Sequence, residues 1–239
     1  ALAAKSAEGT RPHVLVMTAT PIPRTVAITV FGDLDVSVLR ELPAGRAPIT
    51  THVVPAIEKP TYLDRAWQRV REEVETGRQA YVVCPRITSE GTSATDLDGL
   101  EVLQADLVGD SQPIAMSNVE DVVAELTTGP LEGLRVATLH GKMTPDEKDL
   151  VMRRFAGGPG EPDALDVLVA TTVIEVGVDV PNATVMVVMD ADRFGVSQLH
   201  QLRGRVGRGG LPGLCLLVSN AEPGSDARAR LEAVAATTD

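Results

Sequence analysis

Short apolar runs recur along this chain and predict strands that alternate with helices. Each run is rich in Val, Ile, Leu, Ala or Thr and is bounded by glycine, proline or charged residues. The alternation is typical of βαβ units, so we predict an α/β protein with a parallel, doubly wound sheet and helices on both of its faces. The predicted strands are Val14–Thr18, Ile49–Val54, Ala80–Cys84, Arg135–Leu139, Val167–Ala170, Thr184–Met189 and Leu214–Val218.

Three predicted helices have recognisable ends. The clearest begins at Thr144-Pro-Asp-Glu147, where Thr is the N-cap, Pro is the first helical residue and Glu completes a capping box. Gly157 and Gly158 end this helix. Residues 59–76 form a second helix that Gly77 ends, and residues 225–236 form a third.

Two stretches do not fit a compact domain. Residues 88–112 have no sustained period and are rich in Gly, Ser, Thr and Asp, which predicts a surface insertion. The first forty-odd residues hold one strand and one helix, too little to close a core, so they are interpreted as the tail of a preceding domain.

The segment Gln198-Leu-His-Gln-Leu-Arg-Gly-Arg-Val-Gly-Arg-Gly209 carries the strongest chemical signal. On a helix, Gln201, Arg205 and Arg208 lie on one stripe, opposite Leu199, Leu202 and Val206. Arginine pairs with phosphate through a fixed planar fork of donors, which suits a phosphoryl group that develops charge. Gly204 and Gly207 lower helix stability, so another surface is expected to approach closely there. Arg203 points toward the apolar side and is interpreted as structural, paired with an acid. The alternative for the stripe is a solvated basic face.

Other polar residues follow predicted strands. Thr171, Thr172, Gly177 and Asp179 come after the strand Val167–Ala170, and ligands of open α/β sheets bind at carboxyl strand ends. The threonines could meet a phosphate and Asp179 a ribose hydroxyl, or the segment is a Thr-rich turn with a capping Asp.

Arg86 and His140-Gly141-Lys142 follow two other predicted strands. They could contact a nucleic-acid backbone or be ordinary loop residues. Thr18, Ala19 and Thr20 stand at a further strand end, where a simple strand-to-helix turn is the alternative.

Composition limits the function classes. The net charge is −11, but ten of the 33 acids fall in residues 88–134, which contain no Lys or Arg. The rest of the chain is nearly neutral, so a local basic path for a phosphate backbone is possible.

Aromatic residues make up 3% of the chain, which disfavours a base-stacking platform. Two separate cysteines and four histidines offer no metal spacing, and we expect no metal site, no membrane span and a reduced, cytoplasmic compartment.

The order of these motifs resembles the superfamily 2 helicases, and within them the family of branch-migrating DNA translocases. The resemblance runs from about residue 12 to the C-terminus and weakens across the acidic insertion. It rests on Met17-Thr-Ala-Thr-Pro-Ile-Pro-Arg-Thr25, Gly32-Asp-Leu-Asp35, Glu41-Leu-Pro-Ala-Gly45, Thr171 to Asn182 and Gln198 to Gly209.

This resemblance implies a RecA-like fold and a division of the chain. Residues 1–45 would be the tail of a first motor domain with a linker. Residues 46–220 would be the second motor domain, with the insertion 88–112, and residues 221–239 the start of a translocation element. The parent would be an ATP-dependent DNA helicase of repair and recombination, monomeric and nucleoid-associated, acting on the backbone of branched duplex DNA.

The resemblance also implies residue roles. Gln201, Arg205 and Arg208 would reach ATP as catalytic residues, with Gly177 and Asp179 also at the nucleotide. Thr18, Ala19 and Thr20 would couple nucleotide state to DNA. Arg86, His140, Gly141, Thr171 and Thr172 would line the DNA path.

The sequence contains no Gly-x-x-x-x-Gly-Lys-Thr phosphate loop, and its one Asp-Glu-x-Asp run, Asp146 to Asp149, opens the capped helix instead of ending a strand. ATP with Mg²⁺ would therefore be held mainly by the first motor domain of the same parent chain. The parent chain would also contain a wedge domain. We expect the fragment to be inactive alone. Two alternatives stay open: the translocase module of a transcription-repair coupling factor, and a non-catalytic RecA-like module that binds DNA or protein.

Overall fold

The computed structural model describes residue 37 and residues 47–85, 119–158, 160–171 and 179–237. The chain divides into two compact units, residues 1–42 and 43–239. Apart from residue 37, the described residues all belong to the second unit. The predicted strand Val14–Thr18 and the predicted insertion 88–112 lie outside the described residues.

A six-stranded, fully parallel sheet forms the centre of the second unit. Its strands are β1 Ile49–Pro55, β2 Gln79–Val83, β3 Val136–Leu139, β4 Val167–Ala170, β5 Ala183–Val188 and β6 Gly213–Ser219. They lie in the order β1-β6-β5-β2-β4-β3, and each predicted strand from Ile49 onward is confirmed to within one residue at either end. Every residue of β2, β4 and β5 is buried, as expected for inner strands of a sheet covered on both faces.

Helices cover both faces of the sheet, which confirms the predicted architecture. Trp67, Val70 and Leu126 pack on one face, from α1 and α2. Phe155, Leu199 and Leu231 pack on the other, from α3, α4 and α5. The helices are α1 Pro60–Glu75, α2 Val119–Thr128, α3 Pro145–Ala156, α4 Val196–Arg203 and α5 Asp226–Ala236, with a 3₁₀ turn at Ala191–Arg193.

The start of α3 confirms the predicted capping box. The backbone N–H of Thr144 donates to Glu147 Oε2 at 2.7 Å, and the Glu147 N–H donates back to Thr144 Oγ1 at 3.3 Å. The hydrogen bond from the Thr144 backbone, followed by that from its hydroxyl, lowers the pKa of the Glu147 carboxyl. The predicted stop is also confirmed, since Gly157 caps the helix and Gly158 adopts a left-handed φ of 77°.

The two cysteines are free and buried in the core. Burial raises the pKa of both the Cys84 and the Cys215 thiols to about 12. Because the thiolate is the reactive form, both side chains behave as small core residues at neutral pH. Within the described ranges, no helix is both long and apolar enough to cross a membrane.

Candidate functional site

The helix that carries the arginine motif is shorter than predicted. Helix α4 ends at Arg203, Gly204 is its C-cap, and Gly207 has a left-handed φ of 71°. The predicted helical stripe is therefore wrong, because Arg205 and Arg208 lie on the turn after the helix. The apolar back of the motif is confirmed, with Leu199, Leu202 and Val206 all buried.

Glycines let this turn lie against the chain's own backbone. A Cβ at Gly209 would stand 2.4 Å from the carbonyl oxygen of Pro181, closer than any side chain allows. A Cβ at Gly207 would stand 3.2 Å from Ile49 Cγ1, in addition to the strain of its φ. The close approach expected from the glycines is present, but the approaching surface is the start of β1 and the segment before β5. Sequence reasoning did not single out Gly209, which ends the arginine motif two residues after Gly207.

Arg208 is held from two sides. Its Nε donates to the carbonyl oxygen of Gly204 at 2.9 Å, and its Nη1 donates to Asp179 Oδ1 at 3.2 Å. The Arg208 side chain remains 35% exposed and the Asp179 side chain 58% exposed. Arg208 and Asp179, both predicted from the sequence to bind a nucleotide, are thus in direct contact.

Arg205 is half-buried beside the same cluster, and Gln201 is half-buried one turn earlier on α4. Burial raises the pKa of the Tyr81 hydroxyl to about 12, while the charges of Arg205 and Arg208 lower it and that of Asp179 raises it. The charges of Arg205, Arg208 and Asp179 therefore all act on the same hydroxyl, that of Tyr81 in β2. Tyr81, which sequence reasoning did not single out, is packed edge-on against Phe155 at 5.0 Å between ring centroids.

Arg203 is buried, as expected for a structural residue. Its Nη1 donates to the carbonyl oxygens of Val234 at 3.3 Å and Thr237 at 2.7 Å, and its Nη2 lies 2.9 Å from His200 Nδ1. These carbonyls belong to the carboxyl end of α5, where a cation also meets the negative end of the helix dipole. Arg203 therefore fastens α5 to α4.

The candidate residues fall on opposite edges of the sheet. Thr171 directly follows β4, whereas Asp179 lies just before β5, and these strands run parallel. The expectation that Asp179 lies at a carboxyl strand end is therefore wrong. Asp179 and Arg208 lie at the amino edge, together with the Gly207 N–H that donates to Ala183 O at 3.4 Å.

His140, Gly141 and Thr171 come together at the carboxyl edge. The Thr171 N–H donates to Leu139 O at 3.1 Å, which joins the ends of β3 and β4. Lys148 Nζ donates to Gly141 O at 3.2 Å, and a Cβ at Gly141 would meet no atom of the described residues within 4 Å. The loop is thus held by α3, and no described residue covers the outer side of Gly141.

The remaining sequence candidates lie outside the described residues. They are Thr18, Ala19, Thr20, Arg86, Thr172 and Gly177.

Comparison with protein families and with curated proteins shows what this sequence is similar to. The family described as "Helicase conserved C-terminal domain" matches residues 65–210, more than half of the chain. The ATP-dependent DNA helicase RecG of Mycobacterium leprae is 55% identical over 238 residues, which cover 100% of this chain and 30% of that protein. RecG of Bacillus subtilis is 45% identical over 233 residues, 97% of this chain and 30% of that protein. The chain thus spans about 30% of the length of these relatives.

Solved structures agree in fold. A structure of RecG bound to a three-way DNA junction superimposes with a TM-score of 0.66 at 37% identity, over 92% of this chain and 25% of that chain. Dbp5 of S. cerevisiae, bound to RNA and ADP BeF3, gives a TM-score of 0.53 at 15% identity, over 88% of this chain and 44% of that chain, and supports the fold alone. The RecA-like fold is confirmed, and the resemblance to superfamily 2 helicases is confirmed at the level of the relatives named ATP-dependent DNA helicase RecG.

Proposed function

This chain belongs to the family of helicase conserved C-terminal domains, and from that premise we propose that it is the second motor domain of an ATP-dependent DNA translocase. The proposed enzyme remodels branched duplex DNA, such as stalled forks and Holliday junctions, in repair and recombination. It acts as a monomer at the nucleoid, in the cytoplasm. Its first motor domain and wedge domain come from the same parent chain.

The observation that carries this proposal is the separation of two polar clusters by the sheet. Asp179, Arg205 and Arg208 lie toward the amino edge, and His140 with Thr171 lies at the carboxyl edge. Arginine and an exposed carboxylate suit a nucleotide, whereas backbone amides, His and Lys suit a phosphate backbone. One rigid domain can therefore contact ATP and DNA at the same time.

The amino-edge cluster fits the terminal phosphate and the ribose of ATP. Arg208 has further N–H groups that donate to neither Gly204 O nor Asp179 Oδ1. We propose that these N–H groups bind the terminal phosphate together with Arg205 and Gln201. Asp179 and Gly177 would lie at the ribose. When bound, ATP supplies the phosphoryl bond whose cleavage drives movement, and the first motor domain supplies the phosphate loop and the Mg²⁺ ligands.

The carboxyl-edge cluster fits a DNA backbone. His140, Gly141, Thr171, Thr172 and Arg86 are proposed to line the path. The sequence motif alone supports a coupling role for Thr18, Ala19 and Thr20, which would transmit nucleotide state to this path.

ATP hydrolysis provides the direct test. We expect no turnover by the purified chain, because these 239 residues contain no phosphate loop, and DNA-stimulated turnover by the full-length enzyme. The measurement is steady-state phosphate release with and without a three-way DNA junction. Turnover by the chain alone that survives Arg208→Ala would contradict the proposal.

DNA binding by the isolated chain is expected to be weak and sensitive to salt, since it depends on few phosphate contacts. Lys142→Ala removes an exposed charge at the carboxyl edge and should reduce the slope of log Kd against log[salt] by about 1. Arg153→Ala, at the opposite end of α3, removes the same charge and serves as the matched control. Fluorescence anisotropy of a labelled junction measures both, and equal slopes for the two variants would argue against this DNA path.

A further inference from the structure

Asp179 and Arg208 form an ion pair that fixes the plane of a guanidinium. The Nη1 of Arg208 donates to Asp179 Oδ1, and its Nε donates to the Gly204 carbonyl. The guanidinium is planar, so two acceptors on different nitrogens define its direction as well as its position. The remaining N–H groups of Arg208 have no acceptor among the described residues, and the side chain is still partly exposed.

The backbone on both sides of this pair is itself fixed. Val180 is buried, and its carbonyl oxygen accepts from the Ala183 N–H at 3.1 Å. Asn182 Nδ2 donates to Gly77 O at 2.9 Å, which ties the same segment to the turn before β2. Gly209 packs on Pro181, so the arginine turn and the Asp179 segment are held together at the backbone level.

The Asp179–Arg208 ion pair affects the orientation of the Arg208 guanidinium more than the stability of the fold. Both side chains are exposed to solvent, and ion pairs in such surroundings contribute little to the free energy of unfolding. Asp179 uses only Oδ1 toward Arg208, and no second partner of its carboxylate is found among the described residues. Oδ2 is therefore available to a ligand while Oδ1 keeps Arg208 in place.

We infer that Asp179 is a positioning residue for Arg208: it aims the guanidinium at the terminal phosphate through Oδ1 while Oδ2 accepts a hydrogen bond from the ribose. This inference rests on the proposed function. It adds that the Asp179 carboxylate binds Arg208 and the ribose at the same time. The ribose is thereby connected to the guanidinium that stabilises the transferred phosphoryl group. A ligand of the ribose alone acts on affinity, whereas a residue that aims Arg208 acts on kcat.

A double-mutant cycle in the full-length enzyme tests this role. Asp179→Ala, Arg208→Ala and the double variant are assayed for DNA-stimulated hydrolysis of ATP and of 2′,3′-dideoxy-ATP, which lacks both ribose hydroxyls. We expect Asp179→Ala to lower kcat about 10-fold with either nucleotide, since a charge-assisted hydrogen bond is lost. In the Arg208→Ala background the same change should have almost no effect on kcat. Asp179→Asn keeps an acceptor oxygen and should recover part of the loss.

Asp149→Ala is the matched control. Asp149 is 57% exposed and pairs with Arg153 at 2.7 Å on α3, so it reproduces the loss of an exposed, arginine-paired carboxylate away from the cluster. The kcat of Asp149→Ala should equal that of the unmutated enzyme. Thermal unfolding should show that Asp149→Ala and Asp179→Ala are both folded.

Two results would overturn the positioning role while leaving the proposed function in place. In the first, Asp179→Ala raises KM for ATP without lowering kcat, and the effect disappears with dideoxy-ATP, since Asp179 would then act only on the ribose. In the second, Asp179→Ala lowers kcat by the same factor whether or not Arg208 is present. If the unmutated enzyme hydrolyses no ATP in the presence of DNA, the proposed function and this inference both fall.

Discussion

Arg208→Ala in the full-length enzyme is expected to lower kcat for DNA-stimulated ATP hydrolysis by about 10³-fold, with a much smaller change in KM. The reason is that an arginine finger acts mainly on charge that develops in the transition state. Arg205→Ala should produce a loss of the same kind. Steady-state kinetics at saturating junction DNA measures both changes.

Two further variants define the role of the arginine. Arg208→Lys keeps the charge but loses the planar fork and the Nε bond to Gly204 O, so it should recover only a small part of kcat. Arg153→Ala removes an equally charged residue that is 78% exposed on α3 and should leave kcat unchanged. An Arg208→Ala enzyme with undiminished kcat would mean that the cluster at the amino edge does not serve hydrolysis.

Gln79→Leu is expected to destabilise the domain by about 2–4 kcal/mol. Gln79 is fully buried at the start of β2, and its Nε2 donates to Phe155 O at 2.6 Å and to Leu165 O at 2.7 Å. Leucine has a similar size but no donor, so two buried carbonyls would lose their partner. One of them belongs to the last turn of α3, whose carbonyls have no partner within the helix.

Thermal and urea denaturation of the isolated chain measure this effect. The midpoint temperature should fall by roughly 5–15 °C for a domain of this size. Gln68→Leu makes the same substitution at an exposed position of α1 and should change the midpoint little. Equal midpoints for the two variants would show that the buried amide does not support the fold.

The strands could be predicted from the sequence because the sheet is parallel and covered on both faces. Inner strands such as Val167–Ala170 are apolar at every position, and glycine, proline or polar residues mark their ends. Helix α3 was equally predictable, since its capping box and terminal glycines are local signals. These features depend on neighbours in the sequence, so no tertiary information was needed.

Helix α2 was not predicted, although Val119, Val122, Val123 and Leu126 follow a helical spacing. Its acidic residues belong to the stretch 88–134, and its apolar stripe is short, so the local pattern is a weak helix signal. Burial of Val122 and Leu126 against the sheet stabilises this helix, which is a tertiary effect.

The sequence suggested which residues form the candidate site but not how they are arranged. Gln201, Arg205, Arg208 and Asp179 were chosen from residue type and order, and the contact between Arg208 and Asp179 supports that choice. The predicted helical stripe is wrong because α4 ends at Arg203, and Gly207 in the following turn adopts a left-handed φ. Which sheet edge each residue occupies depends on how far the chain runs between strands, and residue type does not report that.

The separation of the two clusters by the sheet gives the domain a mechanical property. Strand β5 has six residues, so the amino and carboxyl edges lie roughly 20 Å apart along the strands. If the domain turns as a rigid body about its amino edge by about 10°, its carboxyl edge travels about 3.5 Å, close to the distance between successive phosphates along a DNA axis. Under the proposed function, the sheet is then a lever arm whose length converts a small rotation at the nucleotide end into a displacement of about one base pair at the DNA end.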